Sequence, residues 1–426
     1  MAAAAVKFPE SLKLTAAPFA GVVGIDWADR KHDMCVVLGD GSVGELSVVP
    51  HTPKALQQWA DELHRRVGGQ PVAVCVEQSR CPLINALEQF EFLTMYPVNP
   101  HAMSSFRDAF SVSGAKDDRG DAALLARMFL CGQDRLKPLT RETDQTRMLQ
   151  AMAEGRRKLV DKRTALVNEL TALLKSYYPL ALEICGANLH SALALDLLEK
   201  YPTLEKLRAA RPSVLERFFY AHHVRRRESI DQRLTAVRDA KPLTLNAAII
   251  QPAQMHLAAL RGQLREITKS IASYDHALAQ NLENHPDAFI FKSLPGAGPI
   301  NAVRLLVAFG TCRVRWPHAQ ALQNYSGVAP VQRCSGNSKS VQKRRSVPDF
   351  VHQTFYEFAG SSIRYCTWAR DYYHRQRKQG RSHASTLRKL AFKWIRIIWR
   401  MWHNGEAYDE QRYLDARLAR IASPAA

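Results

Sequence analysis

The first third of the chain alternates apolar and polar positions in short runs, whereas the rest repeats its apolar residues at helical spacing. Three early runs, "FAGVVGIDW", "KHDMCVVLG" and "VGELSVVP", read as β-strands separated by turn residues such as "GDGS". A helix follows in "TPKALQQWADELHRRV", with Thr52 placed to cap its N-terminus. Next come the strand "PVAVCVEQ", a helix after Cys81, the strand "FLTMYPVNP" and helical sequence from about Ala102.

Three consecutive strands and then a strand–helix alternation predict an α/β domain of the ribonuclease-H-like kind over residues 18–130. A dinucleotide-binding domain would need a glycine-rich turn after the first strand, and "DWADRK" supplies none. Residues 143–285 are helical in pattern throughout. Leu257, Leu260, Leu264, Ile267, Ile271, Tyr274 and Leu278 recur alternately three and four apart, which makes three heptads of a narrow apolar seam. An earlier segment carries Met148, Met152, Leu159, Leu166, Leu170 and Leu173 among basic residues. The seam pairs either with a helix of the same chain or with another subunit as a coiled coil. In both cases the basic face beside it suits a phosphate backbone, so Arg156, Arg157, Lys162 and Arg163 are candidate nucleic-acid contacts. Residues 286–405 form a third, mainly helical domain, and 406–426 read as a tail. Trp394, Trp399 and Trp402 lie five and three apart with Leu390, Ile395 and Ile398 between them. That spacing predicts helix core more than base stacking.

Composition narrows the choice of partner. The chain has 426 residues, 46% of them apolar, enough for two or three ordinary globular domains. No apolar run approaches the roughly 20 residues of a membrane-spanning helix, and the N-terminus lacks the basic and apolar regions of a signal peptide. Eight cysteines without a C-x-x-C pair argue against zinc knuckles and a disulfide framework, and for a cytoplasmic setting. The charge balance changes the picture most: 59 Lys and Arg face 40 Asp and Glu, a net +19. Such an excess predicts a polyanionic partner, nucleic acid before membrane, because the basic residues do not line one amphipathic helix.

Against that positive background the strand-ending acids stand out. In "GVVGIDW" Gly24 and Asp26 share one face, opposite Val23 and Ile25; in "PVAVCVEQ" Ala73, Cys75 and Glu77 do the same. If the two strands are parallel neighbours, both carboxylates emerge at one sheet edge. In "SGAKDDRGDAALLARMFL", Asp118 and Asp121 share a helix face. Four converging carboxylates would repel one another unless a cation neutralised them. Hard oxygen ligands favour Mg²⁺ or Mn²⁺, the ions of phosphodiester chemistry. Asp29 and Asp33 read as solvated, and His101 as a capping residue.

Two further segments carry candidate chemistry. "LPGAGPINAVRLL" has the pattern of a helix-hairpin-helix turn, with Gly296 and Gly298 leaving backbone N–H groups to grip a phosphate. "YSGVAPVQRCSGNSKSVQKRRS" holds Ser335 among Arg333, Lys339, Lys343, Arg344 and Arg345. A serine hydroxyl attacks phosphorus only with a base, or with cations that stabilise the developing charge. Composition alone does not separate Ser335 from Ser326, Ser338, Ser340 or Ser346, and on composition alone a basic nucleic-acid-binding loop is the better reading of the segment.

Taken together, "GIDWADRKHDMCVV", "CVEQ", "VNPHAMSSFRDAF…AKDDRGDAALLA" and "LPGAGPINAVRLLVAFG…ALQNYSGVAPVQRCSGNSKS" resemble the DEDD-type insertion-sequence transposases, also called bridge-RNA-guided recombinases. The resemblance covers about 18–130 and 286–400. It implies a RuvC-like domain whose D-E-D-D acids are Asp26, Glu77, Asp118 and Asp121, binding Mg²⁺ or Mn²⁺. It also implies a C-terminal transposase domain whose nucleophile is Ser335. Departures are Asp117, where the family's K-T-D-x-x-D has threonine, and a run after the serine that is poor in glycine and contains Pro348. The implied activity is DNA recombination through a phosphoserine link. Its implied partners are donor and target DNA, a structured bridge RNA and other copies of the chain, as dimer or tetramer. Rival readings are a metal-dependent RuvC-like nuclease or junction resolvase in which Ser335 is incidental, and a non-enzymatic nucleic-acid-binding assembly protein.

Overall fold

The computed structural model describes residues 4–8, 19–39, 43–77, 81–110, 118–132, 135–335, 338–342, 344, 347–412 and 414–415. Two units result, Met1–Arg141 and Glu142–Ala426.

The first unit is a mixed sheet with helices on both faces. Its strands are β1 (Ala4–Lys7), β2 (Gly21–Trp27), β3 (Lys31–Leu38), β4 (Val43–Pro50), β5 (Val72–Glu77) and β6 (Leu93–Val98). Its helices are α1 (Pro53–Arg66), α2 (Pro82–Leu87), α3 (Pro100–Phe110) and α4 (Asp118–Cys131). Strand order is β1-β4-β3-β2-β5-β6; β2, β3 and β4 form an antiparallel meander, and β5 and β6 run parallel to β2. This order is consistent with a ribonuclease-H-like domain. Edge strand β1, antiparallel to β4, lies ahead of the expected start at residue 18. Thr52 caps α1 as expected, accepting a hydrogen bond from Ala55 N.

Side-chain alternation sorts the sheet into two cores. Val23, Ile25, Val72, Val74 and Val76 pack with Leu56, Leu63, Leu83 and Leu87 of α1 and α2. Val22, Cys35, Ala73 and Cys75 pack on the other face with Ala122, Leu125, Ala126 and Phe129 of α4. Helix α4 approaches β2 so closely that a methyl on Gly24 would lie 2.0 Å from Ala122 O and 2.6 Å from Ala126 N. Both are backbone atoms, which yield only if the helix lifts. Gly24→Ala is therefore expected to destabilise this unit by about 3 kcal/mol, read as a lower urea midpoint. An unchanged midpoint would mean that α4 does not rest on β2.

The second unit is mostly helical. It contains α5 (Asp144–Tyr177), α6 (Leu180–Cys185), α7 (Ala192–Lys200), α8 (Leu204–Arg208), α9 (Pro212–Ala221), α10 (Arg227–Asp239) and α11 (Ala247–Glu283). After these come α12 (Ala288–Lys292), α13 (Gly298–Phe309), α14 (Ala319–Tyr325), the hairpin strands β7 (Val331–Ser335) and β8 (Ser338–Gln342), α15 (Asp349–Tyr365), α16 (Thr367–Lys378) and α17 (His383–Asn404). The hairpin is the strand component of a region expected to be mainly helical.

Helices α5 and α11 form an antiparallel pair: Thr146 meets His285 at 3.0 Å, Arg156 pairs with Asp275, and Glu169 meets His256 at 2.9 Å. The heptad seam is consumed within the chain. Leu257, Leu260 and Leu264 are buried with Leu170 and Leu174, while Leu278 and Leu282 are buried with Leu149 and Ala153. Between the two open possibilities for the seam, the fold takes the intramolecular one. Trp394 and Trp402 are fully buried, and Trp399 donates to Trp316 O, so these aromatics are core. The start of the expected tail is docked: Tyr408 N donates to Ser293 Oγ, and its hydroxyl accepts from Trp368 Nε1.

Candidate active site

Strands β2 and β5 pair in parallel with Gly24 opposite Cys75 and Ile25 opposite Val76, so Asp26 and Glu77 follow at the same end of adjacent strands. Both are half-buried. Asp33 joins them. It is the cross-strand partner of Asp26 in the β2–β3 ladder, and it lies on the face of Cys35, toward α4. Far from being solvated, Asp33 is 5% exposed. Its signal was available in the sequence: in "KHDMCVV" Asp33 alternates in phase with Cys35 and Val37. Asp29, by contrast, is exposed. His101 is exposed, and its N–H donates to Asn99 Oδ1, so the side chain capping this turn belongs to Asn99.

The first turn of α4 sits at the same end of the sheet, because Arg119 Nε comes within 4.0 Å of Asp33 Oδ1. A helix N-terminus adds partial positive charge beside these acids. Side chains supply more. Asp121 is buried and held bidentately by Arg107, at 3.0 and 2.7 Å, and Lys31 Nζ lies 3.9 Å from Asp33. Arginine and lysine thus balance the charge of Asp121 and Asp33 within the protein itself. Asp118 begins α4, but its side chain lies outside the described residues.

The donor set fits a hard divalent ion in kind. Carboxylate oxygens line the sheet end, whereas burial pushes the neighbouring Cys35 thiol up to about 12 and the Cys75 thiol higher still, leaving both protonated. Among the described residues no three acid, histidine or cysteine groups stand close enough together to hold a metal ion. On the opposite face His32 is fully buried and hydrogen-bonded to His51 at 2.8 Å; burial, then His51, lowers its pKa to about 4, so it is neutral.

Ser335 is exposed at the end of β7, paired in register with Ser338 of β8. The fold separates it from one competitor: Ser326 is fully buried and donates to Gln323 O. Ser338 and Ser340 are exposed like Ser335, and Ser346 lies outside the described residues. Arg333 and Lys339 lie on the hairpin strands, but their side chains lie outside the described residues, as do Lys343 and Arg345 entirely. Arg344 is half-buried, with Nε lacking a hydrogen-bond partner among the described residues.

Gly296 and Gly298 both take positive φ, 77° and 58°. A side chain at Gly296 would collide with Tyr365 of α15 at 2.6 Å, so the turn is pressed against that helix, while Gly298 opens α13 toward solvent. The candidate basic face on α5 is largely neutralised. Arg156 pairs with Asp275, and Arg157 with Asp161 and Glu357. Arg163 is half-buried, and burial followed by Arg156 lowers its pKa. Lys162 alone of the four is exposed.

Residues 23–179 match a family model described as a transposase, that of the IS110-type DEDD domain. Residues 288–374 match one described as a transposase of the IS116/IS110/IS902 family. The mini-circle candidate transposase for IS117 of Streptomyces coelicolor is 28% identical over 402 residues, covering 91% of this chain and 95% of that protein. The insertion element IS900 uncharacterized 42 kDa protein of Mycobacterium paratuberculosis is 28% identical over 309 residues, 72% of this chain and 75% of its own. The insertion element IS110 uncharacterized 43.6 kDa protein of Streptomyces coelicolor is 25% identical over 307 residues, with the same coverage.

Proposed function

This chain belongs to the IS110 family of insertion-sequence transposases, and on that premise we propose that it cuts and rejoins DNA through a phosphoserine link at Ser335. The observation that carries the reading is the placement of Asp26 and Glu77 on adjacent parallel strand ends, on the face covered by the helix that bears Asp118 and Asp121. A nucleic-acid-binding assembly protein has no use for acids gathered in a basic chain.

In the proposed reaction Ser335 Oγ forms a bond to phosphorus as a P–O bond of the strand breaks. The serine proton and the leaving oxygen together give a free hydroxyl end. A hydroxyl from a second strand then attacks the phosphoserine, re-forming a phosphodiester and restoring the serine. The phosphoester bond is conserved throughout, so no nucleotide cofactor is consumed. Asp26, Glu77, Asp118 and Asp121 are the side chains that would hold Mg²⁺ or Mn²⁺. The chemistry such an ion would supply there is neutralisation of charge on the phosphate. Arg107 holds Asp121 in place and would share it when the centre is filled.

Sequence choice falls to a structured RNA that pairs with donor and target DNA, while the protein reads backbone and shape. Handling two duplexes calls for a dimer or tetramer. The test uses a plasmid carrying the element's ends, the RNA transcribed beside the gene, and purified protein. Joined junctions are expected in Mg²⁺ and absent in EDTA or without the RNA. Junctions formed equally well in EDTA would overturn the metal-dependent reading, and junctions formed without RNA would overturn the guided one.

A further inference from the structure

The net charge of +19 is not spread evenly. Residues 367–404 hold ten Lys and Arg against one acid, Asp371, and so account for nine of the nineteen net charges in 38 residues. These residues form α16 and α17. Helix α17 buries Leu390, Ala391, Trp394, Ile395, Ile398 and Trp402 along one side. Lys389, Lys393, Arg396 and Arg400 are spaced four, three and four apart. At 3.6 residues per turn they fall within about 60° of arc, centred opposite the buried side. Their axial span is about 16 Å, over which one strand of a duplex presents about five phosphates.

The neighbouring helix extends this stripe. Tyr372 of α16 lies beneath Lys393, whose Nζ is 4.9 Å from the ring centroid, and Arg375 covers the same ring at 5.6 Å. Lys389 Nζ donates to Gln376 Oε1 at 2.9 Å, tying the two helices together.

An ordinary solvated helix face intersperses both signs of charge, and several arginines elsewhere in this unit have acids beside them. Arg227 pairs with Glu216 and Asp231, Arg238 with Asp239, Arg265 with Asp196 and Glu199, and Arg412 with Glu406. Among the described residues Arg375, Lys389, Arg396 and Arg400 have no such carboxylate partner. Like charges held in a row destabilise the free protein slightly and are relieved by a polyanion.

We infer that the α17 stripe, flanked by Arg375 and Tyr372, is a docking surface for the phosphate backbone of duplex DNA, read without regard to sequence. This deepens the proposed function and rests on its premise that DNA is the substrate. It assigns the backbone contact to α17, in place of the acid-paired Arg156 and Arg157 of α5. Duplex DNA is the occupant chosen because a transposase must hold it whatever guides the choice of site. The stripe carries no group that would single out a ribose hydroxyl.

The test measures binding of full-length protein to a labelled duplex across about 50 to 200 mM salt, in EDTA so that cleavage plays no part. Replacing Lys389, Lys393, Arg396 and Arg400 together by Gln should flatten the plot of log affinity against log salt by about 3.6, at about 0.9 per phosphate contact. Affinity should fall alike for unrelated sequences. The pair Arg396→Gln and Arg400→Gln, which spares more of the helix, should remove about half of that slope. A control with the same charge loss, Arg227→Gln, Arg238→Gln, Arg265→Gln and Arg412→Gln, should barely change it. An unchanged slope in folded stripe variants, or an equal drop in the control, overturns the inference while leaving the proposed function intact. So does a slope change confined to duplex RNA. Failure of every form to bind DNA at all would instead remove the premise.

Discussion

Asp26→Asn is expected to abolish strand cleavage, lowering its rate a thousandfold or more, about 4 kcal/mol of lost transition-state stabilisation. The substitution replaces one carboxylate oxygen by an amide nitrogen of nearly the same size. Its cross-strand partner in β3 is unchanged, and Gly24, not Asp26, sets the approach of α4. The fold should therefore survive, and so should duplex binding, which loses a negative charge if anything. What disappears is one of the hard oxygens on which a divalent ion would depend. Asp29→Asn provides the comparison, since Asp29 is three residues away but exposed and outside the acid face. Cleavage by Asp26→Asn at the rate of the unaltered protein, with Mg²⁺ present, would remove the acid cluster from the chemistry.

How much of this was legible before the fold was known depended on range. Strand alternation is local, so it placed Asp26 and Glu77 on their faces, and it named Gly24 as a partner on the side now seen to carry α4. Asp33 alternates in phase with Cys35 and Val37 inside the strand "KHDMCVVLG", but only the β2–β3 register shows that it stands beside Asp26. The Arg107–Asp121 pair joins two helices through residues fourteen positions apart, and no periodicity announces such a meeting. The heptad seam on α11 was clear, but a seam states that an apolar partner exists, not whose it is. Its partner α5 is separated from it by five short helices of the same chain. The β7–β8 hairpin was hidden by its own composition, because a run of Ser, Lys, Arg and Gln carries little of the β-branched and aromatic signal of a strand. For the same reason acid pairing of Arg156 and Arg157 was invisible. A basic residue in sequence gives no sign of the carboxylate that stands beside it in the fold.

The second large effect concerns Ser335→Ala, which should eliminate both the covalent protein–DNA adduct and every joined product, leaving duplex affinity unaltered. Ser335 is exposed at the end of β7, where loss of a hydroxyl changes stability by no more than about 0.5 kcal/mol. The acid unit is untouched, so any residual metal-dependent nicking reports what those carboxylates do with water as nucleophile. Ser338→Ala, on the paired position of β8, removes an equally exposed hydroxyl from the same hairpin and should retain the adduct. The contrast matters because a merely basic loop would respond to both substitutions alike. Trapping on a denaturing gel reads the outcome directly: a slow-migrating, protease-sensitive DNA band present with Ser338→Ala and missing with Ser335→Ala. Joining at full yield by Ser335→Ala would transfer the reaction to the carboxylates alone and leave a metal-dependent nuclease as the better account. A band lost in both variants would place the effect in the hairpin's grip on DNA, since two adjacent serines cannot both be the attacking group.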